Sequence, residues 1–114
     1  MEVNKVAQLL NAKVICGDDY LNKNIIRAFA SDLMSDVLTL DTDNLLLITG
    51  LCNLQTIRTA EMADITFIMF VRGKKVTPEM KAIAKDNDMV LLECSYSMFK
   101  TIGMLYCEGL QPVY

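Results

Sequence analysis

Residues 45–71 read LLLITGLCNLQTIRTAEMADITFIMFV, and this stretch decides the fold. It opens on an apolar run, Leu45–Thr49, that stops at Gly50. A helical pattern follows over Asn53–Ala63, and a second apolar run covers Thr66–Val71. Short continuous apolar runs flanking a helix are the signature of parallel strands covered on both faces. Two parallel strands need a crossover, and a helix supplies it.

Outward from this unit the pattern repeats. Pro78–Asn87 reads as a helix with proline in its first turn, where the missing N–H costs nothing. Met89–Glu93 reads as a strand. Ser97–Cys107 reads as a last helix with Met98, Phe99, Ile102, Leu105 and Tyr106 on its apolar face. Toward the start, residues 3–11 read as a short amphipathic helix. Lys13–Cys16 is a brief strand ended by Gly17-Asp18-Asp19, and Ile25–Ala30 is another. Ser31-Asp32 then offers N-cap oxygens to a helix whose apolar face is Leu33, Met34, Val37 and Leu38. The expectation is an α/β fold: a single three-layer-like domain over residues 1–114, with a largely parallel sheet of about five strands and helices packed on it.

Bulk properties narrow the function. The chain has 114 residues, 53% of them apolar, so it builds a real core and is not disordered. Its net charge of −3 argues against sequence-independent nucleic-acid binding, which depends on neutralising phosphates. No apolar run approaches the roughly 20 residues of a membrane helix. The start, MEVNKVAQLL, lacks the regions of a signal peptide, so the expected location is cytoplasmic. The four cysteines, at 16, 52, 94 and 107, match no common zinc spacing, and reduced thiols are expected. There is no histidine, which removes the commonest general base and the commonest metal ligand.

Parallel strands deliver their carboxyl ends to one edge of the sheet, and ligands bind in the crevice there. The candidate site therefore takes Thr49, Gly50, Cys52 and Asn53 from one loop, Arg72, Gly73 and Lys74 from the next, and Ser95 from a third. Ser31 and Asp32 join if their strand runs the same way. Each residue carries two readings. Thr49-Gly50 either presents backbone N–H groups to an anion or makes a tight turn before an Asn53 cap; no Walker loop is present. Arg72-Gly73-Lys74 either offers cations to a phosphate or carboxylate or forms a solvated turn. Ser31, Asp32, Ser35 and Asp36 either serve metal or phosphate chemistry or act as cap and solvated face. Cys52 is either a thiolate favoured by a helix N-terminus or a small hydrophobe without an activating base. Cys52 and Cys94 both fall near strand ends and so are candidates for proximity. The residues show no catalytic motif, so no enzyme activity, no metal and no cofactor are expected.

So arranged, the chain resembles the DRTGG domain. The carrying segments are VNKVAQLLNAKVICGDD, IIRAFASDLMSDVL, LLLITGLCNLQTIRTAEMADITFIMFVRGKKVTPEM and VLLECSYSMFKTIGMLY. Stand-alone members are most similar, with an SDLLSDV-like stretch where this chain has residues 31–37. The family's modules accompany CBS domains, occur within some phosphotransacetylases, and are related to the N-terminal domain of HPr kinase/phosphorylase. The namesake Asp-Arg would fall near Cys52-Asn53 and is missing. Of the namesake Thr-Gly-Gly, near Val71-Arg72-Gly73, only Gly73 stands. The resemblance implies a non-catalytic regulatory or ligand-sensing module, forming a homodimer and binding a nucleotide or other anionic metabolite. The alternative is a protein-interaction module that docks onto a partner enzyme or a CBS-domain protein. Tyr106, Leu110, Val113 and Tyr114 are its candidate adhesive residues.

Overall fold

The computed structural model describes all residues from Met1 to Tyr114. In chain order they form α1 (Val3–Leu9), β1 (Lys13–Cys16), a 3₁₀ turn (Asp18–Tyr20), β2 (Arg27–Ala30) and α2 (Met34–Val37). Then come β3 (Leu45–Thr49), α3 (Leu54–Met62), β4 (Phe67–Phe70), α4 (Pro78–Asp86), β5 (Val90–Glu93), α5 (Met98–Cys107) and β6 (Gln111–Pro112).

One six-stranded sheet runs in the order β1-β5-β4-β3-β2-β6. Strands β2 to β5 are mutually parallel, as the apolar runs require, and β6 joins β2 in parallel. Only β1 is antiparallel, pairing with β5 at the opposite edge. β6 escaped the sequence reading because it is two residues long and includes a proline. Proline lacks the N–H of a central strand and is tolerated at an edge.

Side-chain alternation divides the buried strands between two cores. Leu46, Ile48, Phe67, Met69, Val90 and Leu92 face α1 and α5, alongside Val3, Val6 and Leu105. Leu45, Leu47, Ile68, Phe70 and Leu91 face the other way, onto Ile57, Ala60, Met80 and Ala84 of α3 and α4. The result is three layers, with all of β3, β4 and β5 buried. No helix is long and apolar enough to cross a membrane.

Caps fix where helices begin. Asn53, Thr77 and Ser97 accept the backbone N–H groups of Thr56, Met80 and Lys100, opening α3, α4 and α5. The helix after β2 departs from expectation. It is a single turn with Leu33 at its N-cap and no side-chain cap. Ser31 Oγ accepts from the Leu33 amide instead, and Asp32 turns away from the helix. The last helix also departs. Its buried residues are Thr101 and Leu105, while Phe99, Ile102 and Tyr106 are exposed. A helix this apolar offers two greasy faces, and composition does not say which one meets the sheet.

Candidate functional site

Because β2 to β5 are parallel and adjacent, their trailing loops reach the same rim. The chain also changes sides there. The loop after β4 leads to α4 on one face of the sheet, and the loop after β5 leads to α5 on the other. The gap between β4 and β5 is thus a topological switch point, where open α/β sheets place ligands.

Asp32 organises the rim. Its Oδ1 accepts the Gly50 amide at 2.7 Å and the Thr49 hydroxyl at 3.0 Å. Thr49 is fully buried, and its hydroxyl also accepts the Leu51 amide at 3.1 Å. The other carboxylate oxygen, Oδ2, lies 3.8 Å from Arg72 Nη2, with both side chains about half exposed. Gly50 has no positive φ. It is required for close approach: a Cβ there would collide with the Arg72 guanidinium. The cradle formed by the end of β3 therefore already holds an anion, the protein's own carboxylate.

Arg72 is held by its backbone. It adopts φ +63° and Gly73 follows at +71°, a pair of left-handed residues that turns the chain sharply. The Arg72 amide donates to Tyr96 O at 2.8 Å and the Gly73 amide to Cys94 O at 3.0 Å. These two bonds stitch the loop after β4 to the loop after β5 across the switch point. Gly73 thus makes the expected turn. Lys74 is exposed, and Ser95 is exposed in the neighbouring loop. Asn53 is committed to its cap, accepting the Thr56 amide at 3.1 Å.

The cysteines do not converge. Cys52 Sγ donates to Lys75 O at 3.3 Å and packs beside the core of α3 and α4. Cys94 Sγ lies 3.5 Å from the Thr101 hydroxyl in the opposite core. The sheet separates them, so a thiol pair at this rim is ruled out. Burial and the nearby Glu93 carboxylate push the Cys52 thiol above its ordinary range, partly offset by Lys74. That is the reverse of an activated nucleophile. No group of three or more cysteine, aspartate or glutamate side chains is arranged to hold a metal.

Glu93 went unnoticed in the sequence. It is nearly buried at the end of β5, where Oε2 accepts the Val76 amide at 2.7 Å and Oε1 lies 3.7 Å from Lys75 Nζ. An acid closing an otherwise apolar strand, Val90-Leu91-Leu92-Glu93, was the available signal. Tyr96 was also missed. Its carbonyl anchors Arg72, and its ring carries Lys100 Nζ at 3.9 Å from the centroid.

No family model matches the chain, and no curated protein does. Among solved structures, it is similar to the CBS and DRTGG domains of the regulatory region of a Clostridium perfringens pyrophosphatase, crystallised with its activator diadenosine tetraphosphate. The TM-score is 0.73 at 10% sequence identity, over 91% of this chain. At that identity the likeness is one of fold. This chain spans 45% of the length of that one.

Proposed function

We propose that this chain is a DRTGG-like regulatory module, non-catalytic and cytoplasmic, that senses a nucleotide or another anionic metabolite at the rim of its parallel strands. The carrying observation is the Arg72 guanidinium, which reaches from the loop after β4 across Gly50 toward Asp32 at the rim. Its pairing with Asp32 is long and half exposed, so an incoming phosphate competes for it at little cost. Binding there would take Arg72 from Asp32 and leave that carboxylate held by the Gly50 amide and the Thr49 hydroxyl alone. Exposed Lys74 adds charge at the same rim. The pyrophosphatase neighbour, crystallised with a dinucleoside polyphosphate activator, supports a nucleotide as the first ligand to try.

A thermal-shift series tests this with diadenosine tetraphosphate, mononucleotides, acyl phosphates and CoA esters. A ligand at ten times its Kd adds about 1.4 kcal/mol to stability. That is several degrees in Tm for a domain of this size. The expected result is stabilisation by one of these classes, abolished in Arg72→Ala. No shift at millimolar concentration with any of them overturns the reading.

A second reading is a docking module for a larger metabolic enzyme or a CBS-domain protein. It draws on the apolar side chains that α5 exposes. Affinity capture on the immobilised chain, repeated with Phe99→Asp, tests it: a metabolic enzyme retained by the native chain and lost with the variant is expected.

A further inference from the structure

The sheet is unevenly filled on its α5 side. There β3 presents Leu46 and Ile48 and β4 presents Phe67 and Met69, whereas β2 presents only Ala28 and Ala30. Methyl groups where the neighbouring strands carry large side chains leave a trough over β2. Its volume is about 200 Å³. Ile102, Leu105 and Tyr106 of α5 form one wall, and the stretch from Leu110 through β6 to Tyr114 forms the other. Ten of the twelve residues that line it are apolar, and no charged side chain is among them. Tyr106 is 62% exposed and Tyr114 92%, so both rings stand largely in water at its mouth. Gln111 supplies the one amide side chain of the lining. Its Nε2 donates to Gly109 O at 3.1 Å, and its Oε1 stays open to a donor.

We infer that this trough seats the nucleobase of a ligand whose phosphate meets Arg72. The inference rests on the reading of the rim as an anion sensor and adds that the ligand must carry a planar aromatic ring. Size selects the ring. An apolar cavity of ~150 Å³ takes up benzene, so a trough of about 200 Å³ suits a fused bicyclic ring such as a purine. The lining selects a neutral one, because a charge would lose its hydration there without gaining a partner. Tyr106 and Tyr114 offer faces on which a base stacks. Gln111 Oε1 can accept an amino or ring N–H of the base.

Position ties the trough to the rim. Its floor ends at Ala30 and Ile48, which stand two residues before Asp32 and Gly50. At ~3.3 Å per residue the gap is about 7 Å, which a ribose bridges. Alternation along β3 points residue 50 to the same side as Leu46 and Ile48, and the Arg72 guanidinium occupies the space that a Cβ would take there. The base therefore lies on β2, and the phosphate lies at the strand ends.

Methyl NMR titration of the full chain tests the seat, with AMP, adenosine and ribose-5-phosphate as probes. The Ala28, Ala30 and Ile102 methyl signals should shift with AMP and with adenosine and stay still with ribose-5-phosphate. AMP should bind at least about tenfold more tightly than ribose-5-phosphate, the scale of one base–aromatic stack. Ala30→Leu fills the trough and should bring the two affinities together. Tyr106→Ala removes an exposed wall without touching the core, so it decides the matter even if Ala30→Leu fails to fold. It should weaken AMP severalfold. Arg72→Ala should weaken AMP and ribose-5-phosphate together. Equal affinity for those two probes, or AMP binding that neither trough variant weakens, overturns the base seat and leaves sensing at the rim standing. Adenosine shifting the trough methyls while Arg72→Ala leaves AMP affinity intact overturns the rim reading and upholds the seat. No methyl shift with AMP or adenosine at millimolar concentration, as would follow if an apolar side chain of a partner protein fills the trough, overturns the seat.

Discussion

Asp32 Oδ1 stands 2.7 Å from the Gly50 amide, so a carboxylate extends the tie between β2 and β3 beyond their backbone ladder, whose last bond runs from the Ser31 amide to Ile48 O. The same oxygen accepts the Thr49 hydroxyl, which is fully buried. Asp32→Ala strips that acceptor from a buried donor and should destabilise the chain by about 1–2 kcal/mol. Asp32→Asn keeps an amide oxygen in place and should cost less than half as much. Urea unfolding at constant m-value checks both.

Two glycines should respond in opposite ways to alanine. At Gly50 the new Cβ meets the Arg72 guanidinium, the free end of a flexible side chain that swings into solvent. The expected loss of stability for Gly50→Ala is below about 1 kcal/mol. At Gly17 the φ is +92° and a Cβ would lie 2.8 Å from Val90 Cα, which is backbone in the sheet. Gly17→Ala combines strain with overpacking and should lose more than about 2 kcal/mol. Equal effects in denaturant titrations would contradict this geometry.

Glu93 and Lys75 form an ion pair whose members matter unequally. Lys75 is exposed, and its ammonium lies 3.7 Å from the carboxylate. Lys75→Ala should change stability by less than about 0.5 kcal/mol. Glu93→Ala orphans the Val76 amide and should cost about 2 kcal/mol. Glu93→Gln restores an acceptor and recovers most of that loss. Thermal melts of the three variants rank them.

The thiols should label in order of exposure and acidity. Cys107 is exposed, whereas Cys16 and Cys94 are buried. Burial raises the Cys52 and Cys16 thiols. Iodoacetamide at neutral pH should therefore modify Cys107 first and Cys52 far more slowly, read by mass spectrometry. The same shifts make stability fall in alkali. As pH rises through the ordinary thiol range, the unfolded chain loses these protons before the folded chain does, which favours unfolding. The contribution is intact below that range and lost as pH climbs through the raised folded values. Cys16→Ala should blunt the decline.

The strands and their direction were readable because burial on both faces leaves a run with no polar gaps, as in Leu45–Ile48 and Phe67–Phe70. The cap at Asn53 was readable because capping is settled within four residues. Asp32 was chosen for the rim, but its part was misread as a cap. Its partners, Thr49 and Gly50, are 17 and 18 residues away, and no local rule reaches so far. Glu93 was passed over for the same reason, its partner amide lying 17 residues back at Val76.

The sequence by itself determined the layer architecture and the convergence of three loops on one rim, since hydrophobic period and parallel connection leave little freedom in either; the structure added the fourth by making β2 parallel to β3. Only the tertiary structure decided which residues at that rim touch. It also decided that Cys52 and Cys94 lie in different cores, and that α5 keeps Phe99 and Tyr106 in solvent. Those outcomes depend on which face of each element meets the sheet, a choice made by all the packing contacts together and carried by no single stretch of the chain.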